Sequence, residues 1–209
     1  MKRTLGFQLD TNPKTSGQEP WPCMKSVHTV VGSNAVTAWP KDTAMLDWEL
    51  ELAVVIGKKV RDVGVDQALD CVAGYTVGND LPDRAFVARK GVADSSPFKW
   101  DWIGQKTFDG ACPLGPAITP ARFIGDGNNL SLQLWVNGEL MQDSNTSRMI
   151  FNVAELVSAL SHSITLYPGD VILTGTPSGV GKARKQFLKS GDVVRQSIEK
   201  IGEFEFRVK

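Results

Sequence analysis

Nothing in this chain approaches the run of about 18 apolar residues that a membrane span needs. The opening Met1 to Asp10 begins basic, but Gln8 and Asp10 interrupt the apolar stretch of a secretory signal. Cysteine is scarce: Cys23, Cys71 and Cys112 are odd in number, widely spaced and without a Cys-x-x-Cys pair. That argues against a disulfide framework and suits packing residues in a reducing cytoplasm. Only two histidines occur. His28 lies in an expected strand with no partner spacing, and His162 sits between Ser161 and Ser163, off the apolar face of its expected helix, where it is solvated. A zinc site of His and Cys is therefore not expected. Lys plus Arg equals Asp plus Glu, 23 each, and no basic block stands out, so nucleic-acid binding has no compositional support. The Gly-rich 175–181 segment is no nucleophile elbow, because Gly175-Thr176-Pro177-Ser178-Gly179 is not Gly-x-Ser-x-Gly. A phosphate-binding P-loop fails at Thr176 and Ala183, and a dinucleotide fingerprint fails at Arg184.

What is present is the composition of an ordinary soluble globular protein, 42% hydrophobic and 22% charged over 209 residues, enough for one domain with a substantial core. Along the chain, a short strand is expected near Leu5–Leu9, then a loop, with order resuming near Cys23–His28. Val27 to Val36 is β-like and ends at a Pro40-Lys41-Asp42 turn. Residues 66–73 read as a short helix stopped by Gly74, residues 75–78 as a strand, residues 82–89 as a helix with Pro82 in its first turn, and the segment to Pro113 as a long ordered loop. Leu130, Leu132, Leu134 and Val136 alternate before Asn137-Gly138, the strongest hairpin signal here. Asn152 with Glu155 three residues on opens a helix whose Val153, Leu156, Val157, Leu160 and Ile164 share a face. Strands follow at 171–174, 193–198 and 204–208. The expected fold is α+β, predominantly β, with few short helices in a single domain over 1–209.

The stretch from Asp47 to Gly57 organises the rest. Strand alternation turns Asp47, Glu49 and Glu51 one way and Trp48, Leu50 and Leu52 the other. Same-face residues lie roughly 6.5–7 Å apart, so long carboxylates can converge on one ion. Ala53-Val54-Val55-Ile56 then reads as a strand buried on both sides. Taken alone, Glu-x-Glu fits an exposed strand edge; entering a buried strand, two like charges need a cation. Candidate ligands are Glu49, Glu51 and Asp80, with Arg84, Lys106 and Thr176 as anion binders and the backbone amides at Gly175 facing an anion. Carboxylates without His or Cys favour a hard cation, Mg²⁺ or Mn²⁺.

In these motifs the chain resembles the fumarylacetoacetate hydrolase (FAH) family. The resemblance runs from about residue 23 to the end, leaving 1–22 as a divergent N-terminal segment. It rests on Glu49-Leu50-Glu51 through Gly57, Ala73-Gly74-Tyr75 through Asp80 with Arg84, Lys106-Thr107-Phe108-Asp109, Leu114-Gly115-Pro116, Trp135-Val136-Asn137-Gly138-Glu139, and Pro168-Gly169-Asp170 on to Gly175-Thr176-Pro177. It implies a mixed β-sandwich or roll, a homodimer, and a divalent ion on Glu49, Glu51 and Asp80. It also implies small 2-oxo or 2,4-dioxo acid substrates, with Lys106 and Arg84 supplying positive charge to oxyanions and Thr176, Gly175 and Tyr75 binding substrate. The activity implied is hydrolytic C–C cleavage through a metal-bound enolate.

The departures matter. Hydrolytic members carry an N-terminal His in an Asn-Tyr-x-x-x-His pattern, paired with a lid Glu. Here Gly6 to Asn12 holds none, and Glu19 is only a candidate lid carboxylate. The Gln expected three residues after Arg84 is Val87, and the Asp expected next to Arg84 is Ala85. Water needs a general base to attack at neutral pH, so decarboxylation or isomerisation of a 2-oxo or 2-hydroxydienoic acid stands beside hydrolysis. A catalytically silent metal-binding homologue is the third reading.

Overall fold

The computed structural model describes residues 13–40, 43–101 and 103–209. In chain order the elements are β1 (Val30–Val31), β2 (Val36–Thr37), β3 (Leu50–Ile56), β4 (Val72–Asn79), β5 (Cys112–Pro120), α1 (Ala121–Ile124), β6 (Ser131–Val136), β7 (Glu139–Asn145), α2 (Val153–Ser163), β8 (Val171–Leu173), α3 (Gly181–Arg184), β9 (Val193–Ile198) and β10 (Gly202–Val208). They form two five-stranded sheets, ordered β1-β5-β4-β3-β8 and β2-β10-β9-β6-β7. This is the mixed, strand-rich α+β fold expected.

The core follows from alternation. Trp48, Leu50, Leu52, Val54 and Ile56 meet Tyr75 and Val77 from β4, Leu132 and Leu134 from β6, Val194 and Ile198 from β9, and Phe204 and Phe206 from β10 in one apolar cluster. Each fully buried side chain of this kind contributes about 1.5–3 kcal/mol. β3 is an interior strand, flanked in its sheet by β4 and β8, and all seven of its residues are buried. The β6–β7 hairpin turns on Asn137 (φ 49) and Gly138 (φ 85), the positive pair that matches strand twist.

Several expectations change. The helix at 66–73 is only a 3-10 turn at Ala68–Cys71, and the chain is already extended at Val72. Eight residues are too few to offset helix nucleation once a sheet partner is available. Gly74 is therefore no helix stop; it lies where a Cβ would come within 2.4 Å of Thr119 O on β5. The helix at 82–89 shrinks to a 3-10 turn at Arg84–Phe86, capped by the Asp83 carboxylate, which accepts from Ala85 N. Cys112–Pro120, in part assigned to the loop, is a nine-residue strand despite its prolines. Helix α2 has its capping box, but its buried side is Val153, Ala154, Val157, Ser158 and Ser161, while Ile164 is exposed. The two serines turn inward because Val63 O accepts from Ser158 Oγ and Val63 N donates to Ser161 Oγ. The expected Leu5–Leu9 strand and the Lys41–Asp42 part of the turn lie outside the described residues. Among the described residues, no helix is long and apolar enough to cross a membrane.

Candidate metal centre

Antiparallel pairing brings Asp80 together with Glu49 and Glu51, 31 and 29 positions before it. Leu50 stands opposite Asn79, which sets Asp80 beside Glu49, and Asp80 N donates to Glu49 O at 2.9 Å. Glu49, Glu51 and Asp80 are 5%, 4% and 5% exposed. One carboxylate oxygen from each lies within 4.8 Å of the others.

Each carboxylate is held from behind. Arg84 Nη2 donates to Glu49 Oε1 at 2.5 Å, and Lys106 Nζ donates to Glu49 Oε2 at 2.6 Å. Gly175 N donates to Glu51 Oε2 at 2.6 Å. Asp80 Oδ2 accepts from Lys106 Nζ, and Asp80 Oδ1 lies 2.8 Å from Lys25 Nζ. Lys25 Nζ also donates to Lys106 O at 2.6 Å, tying the N-terminal segment to the loop that carries Lys106. That loop is shaped by Asp101, whose Oδ1 accepts from Ile103 N and Gly104 N.

The electrostatics follow. Burial, then the charges of Asp80 and Glu49, push the Glu51 carboxyl well above the usual range; Lys106 and the Gly175 amide only partly oppose this. Burial pushes Asp80 up as well, but Lys106 and Lys25 outweigh it and hold it below its usual value. Burial works against the Lys106 ammonium, yet Glu49, Asp80 and Glu51 keep it protonated far beyond its usual range. With Asp47 included, four buried carboxylates face Arg84, Lys106 and Lys25, so negative charge is in excess. An all-oxygen donor set with surplus negative charge fits a hard divalent cation such as Mg²⁺ or Mn²⁺.

The other expected site residues separate. Lys106 joins the cluster. Arg84 does not face an open space for an oxyanion: its Nε donates to Asp47 Oδ2 at 3.0 Å and its Nη2 to Glu49, so the fork is used on carboxylates and orients Glu49. Gly175 adjoins the cluster but spends its N–H on Glu51. The Thr176 hydroxyl donates to Leu50 O and accepts from Gln142 Nε2, which makes it part of the wall. Tyr75 lies in the core, its hydroxyl donating to Gly125 O at 2.9 Å; burial, then Asp126, push that phenol up to about 12. Both histidines and Glu19 are exposed.

Sequence reasoning missed three contributors. Asp47, 0% exposed, accepts from Trp48 N, Gly181 N, Lys182 N and Arg84, and anchors the acidic strand; its alternation with Glu49 was the available signal. Lys25 and Gln142 carried none, since each acts across a sequence separation of 34 or more residues.

Residues 3–209 match the family described as Fumarylacetoacetate (FAA) hydrolase C-terminal. A 2,4-didehydro-3-deoxy-L-rhamnonate hydrolase of Sphingomonas sp. (strain SKA58) is 43% identical over 187 residues, 88% of this chain and 63% of that protein. A mitochondrial oxaloacetate tautomerase of Homo sapiens is 42% identical over 187 residues, 88% of this chain and 57% of that protein. The chain thus spans less than two thirds of the length of these curated relatives. A crystal structure of fumarylpyruvate hydrolase from Pseudomonas aeruginosa in complex with Mn²⁺ and pyruvate superposes with a TM-score of 0.79 at 32% identity, covering 94% of this chain and 83% of that one. With a family match along almost its whole length and relatives this similar, the chain belongs to the fumarylacetoacetate hydrolase family.

Proposed function

We propose that the chain is a Mg²⁺- or Mn²⁺-dependent enzyme acting on small 2-oxo or 2,4-dioxo acids, with hydrolytic C–C cleavage of an acylpyruvate as its nominal reaction. The observation that carries this is the convergence of Glu49, Glu51 and Asp80 oxygens within 4.8 Å beside the Lys106 ammonium. Those three carboxylates would hold the ion, which supplies Lewis acidity to the 2-oxo group when bound. Arg84 and the Gly175 amide aim Glu49 and Glu51 at it. Lys106, 13% exposed at its side chain, stays charged and places an N–H donor where an enolate oxygen develops. Lys25 holds Asp80 in place. Mitochondrial tautomerases and a Mn²⁺–pyruvate complex among the relatives support the same substrate class.

A second reading, decarboxylation or tautomerisation, is favoured by one observation: both histidines are exposed, and the centre carries lysines in place of a water-activating base. Either reaction works in a homodimer on this reading, supported by the exposed apolar side chains of Trp21, Met24 and Val27 next to Lys25. The deciding experiment follows enol absorbance after adding Mg²⁺ or Mn²⁺ with acetylpyruvate, oxaloacetate or a 2-hydroxydienoic acid. Pyruvate and acetate from acetylpyruvate plus water show hydrolysis; CO₂ from oxaloacetate shows decarboxylation; an enol–keto shift without loss of mass shows tautomerisation. No turnover of any of them by metal-loaded protein would leave the silent homologue.

A further inference from the structure

The backbone between the two ligand glutamates is held by a side chain from the opposite sheet. β8 pairs with β3 only over Ala53–Val55. The chain then runs on beside β3, with Thr174 N and Oγ1 both donating to Leu52 O at 3.1 and 2.9 Å. Pro177 has no N–H with which to continue a ladder. Leu50, which separates Glu49 from Glu51, is served by side chains instead. Its N–H donates to Gln142 Oε1 at 3.0 Å, and its carbonyl accepts from Thr176 Oγ1 at 2.9 Å. Gln142 Nε2 closes the ring by donating to Thr176 Oγ1 at 2.8 Å and to Pro177 O at 3.0 Å. Gln142 is 0% exposed and belongs to β7, in the other sheet. Its oxygen and both its N–H groups are engaged, so an apolar replacement of the same length leaves Leu50 N and Pro177 O without these partners in a dry place.

We infer that Gln142 is a positioning residue for the carboxylate centre: by gripping Leu50 and Thr176 together it sets the spacing of Glu49 and Glu51 and the direction of the Thr176 hydroxyl. A buried carboxamide that merely filled space would have no reason to match both the N–H of one strand and the hydroxyl that bonds the same residue's carbonyl. The inference rests on reading Glu49, Glu51 and Asp80 as a divalent-cation site. Side chains standing one bond behind metal ligands typically change metal affinity by about 10- to 100-fold when lost.

The test measures Mn²⁺ binding by titration with electron paramagnetic resonance, and amide hydrogen exchange across residues 47–52, in the unaltered chain and in Gln142→Met. The expected result is at least a tenfold weaker Mn²⁺ site, in line with that range, with faster exchange at Leu50. Ser158→Ala, which removes a buried hydrogen bond to Val63 O behind α2, is the control; it lowers thermal stability and leaves Mn²⁺ affinity unchanged. If Gln142→Met does not fold, Gln142→Glu takes its place, because it keeps the shape and the acceptor for Leu50 N while the ionised form loses both donors; the same two results decide. Equal Mn²⁺ affinity in a folded variant and the unaltered chain overturns the inference alone. Absence of Mn²⁺ binding by the unaltered chain overturns the site reading, and this inference with it.

Discussion

Glu51→Gln is expected to stabilise the metal-free protein while destroying its response to metal. Glu51 has two carboxylate neighbours within 4.8 Å, and its oxygen keeps the Gly175 N–H as its hydrogen-bond donor. At that distance and an effective dielectric of 20, each pair of unit charges repels by about 3.5 kcal/mol. Burial adds to this cost, and Lys106 and the Gly175 amide oppose it only in part, so a net penalty remains on the ionised Glu51. Glutamine has the same shape, still accepts from Gly175 N and removes the charge, so Tm in EDTA should rise, by about 2–4 °C for each kcal/mol relieved in a chain of this size. The pH dependence has a definite sign. Because the folded Glu51 carboxyl sits above its usual 4.5, its contribution is complete below that pH and is lost as pH rises through the folded value. The gap between the two proteins therefore widens from pH 5 to pH 8. Asp80, held below 3.8, acts oppositely, losing its contribution only as pH falls below that value, and both proteins share it. Adding Mn²⁺ at 100 times its dissociation constant stabilises the unaltered chain by about 2.7 kcal/mol and should do little for Glu51→Gln. Calorimetry with EDTA or Mn²⁺ at both pH values checks this. A variant that melts at or below the unaltered chain in EDTA at pH 8, or that keeps the full Mn²⁺ shift, refutes the reasoning.

Arg84→Met leaves Asp47 with three backbone donors and Glu49 with Lys106, so the loss should lie at the low end for a broken buried pair, about 3 kcal/mol in urea unfolding. A loss under about 1 kcal/mol, the scale of a surface pair, contradicts the bridging role. Of the three thiols only Cys23 is exposed, so native protein at pH 8 should take up one equivalent of iodoacetamide, more slowly than a free thiol because burial and then Asp80 push Cys23 up, and all three after unfolding. Burial pushes Cys112 up to about 12 from 9.0. Its contribution is therefore intact below pH 9 and falls by about 1.4 kcal/mol per unit as pH climbs toward 12. Cys112→Ala should flatten that alkaline decline in a pH series of melts; an unchanged slope counts against it.

The fold was legible where one signal governed one element. The alternation from Trp48 to Ile56, the Asn137-Gly138 turn and the Asn152–Glu155 box each produced the expected local structure. It was not legible where partners overrode local preference. The 66–73 segment lost its helix to β4, Cys112–Pro120 became a strand because β4 and β1 were there to pair with it, and α2 turned serines inward toward Val63. At the centre, residue types marked Glu49, Glu51, Asp80 and Lys106, but the role of each cation depended on direction. Arg84 faces Asp47 and Glu49, and Thr176 faces Leu50, because antiparallel pairing and the departure of β8 leave those atoms nearest.

By itself the sequence determined that hard oxygen ligands, without His or Cys, stand on a buried strand in a strand-rich protein, since those are properties of residue type and period. Only the tertiary structure decided that Lys25 and Lys106 share Asp80, that Asp47 locks Arg84, and that Gln142 grips Leu50 from the other sheet. These contacts join segments 26 to 92 residues apart, and hydrogen bonds are decided by ångström-scale distance and direction, which no local pattern carries.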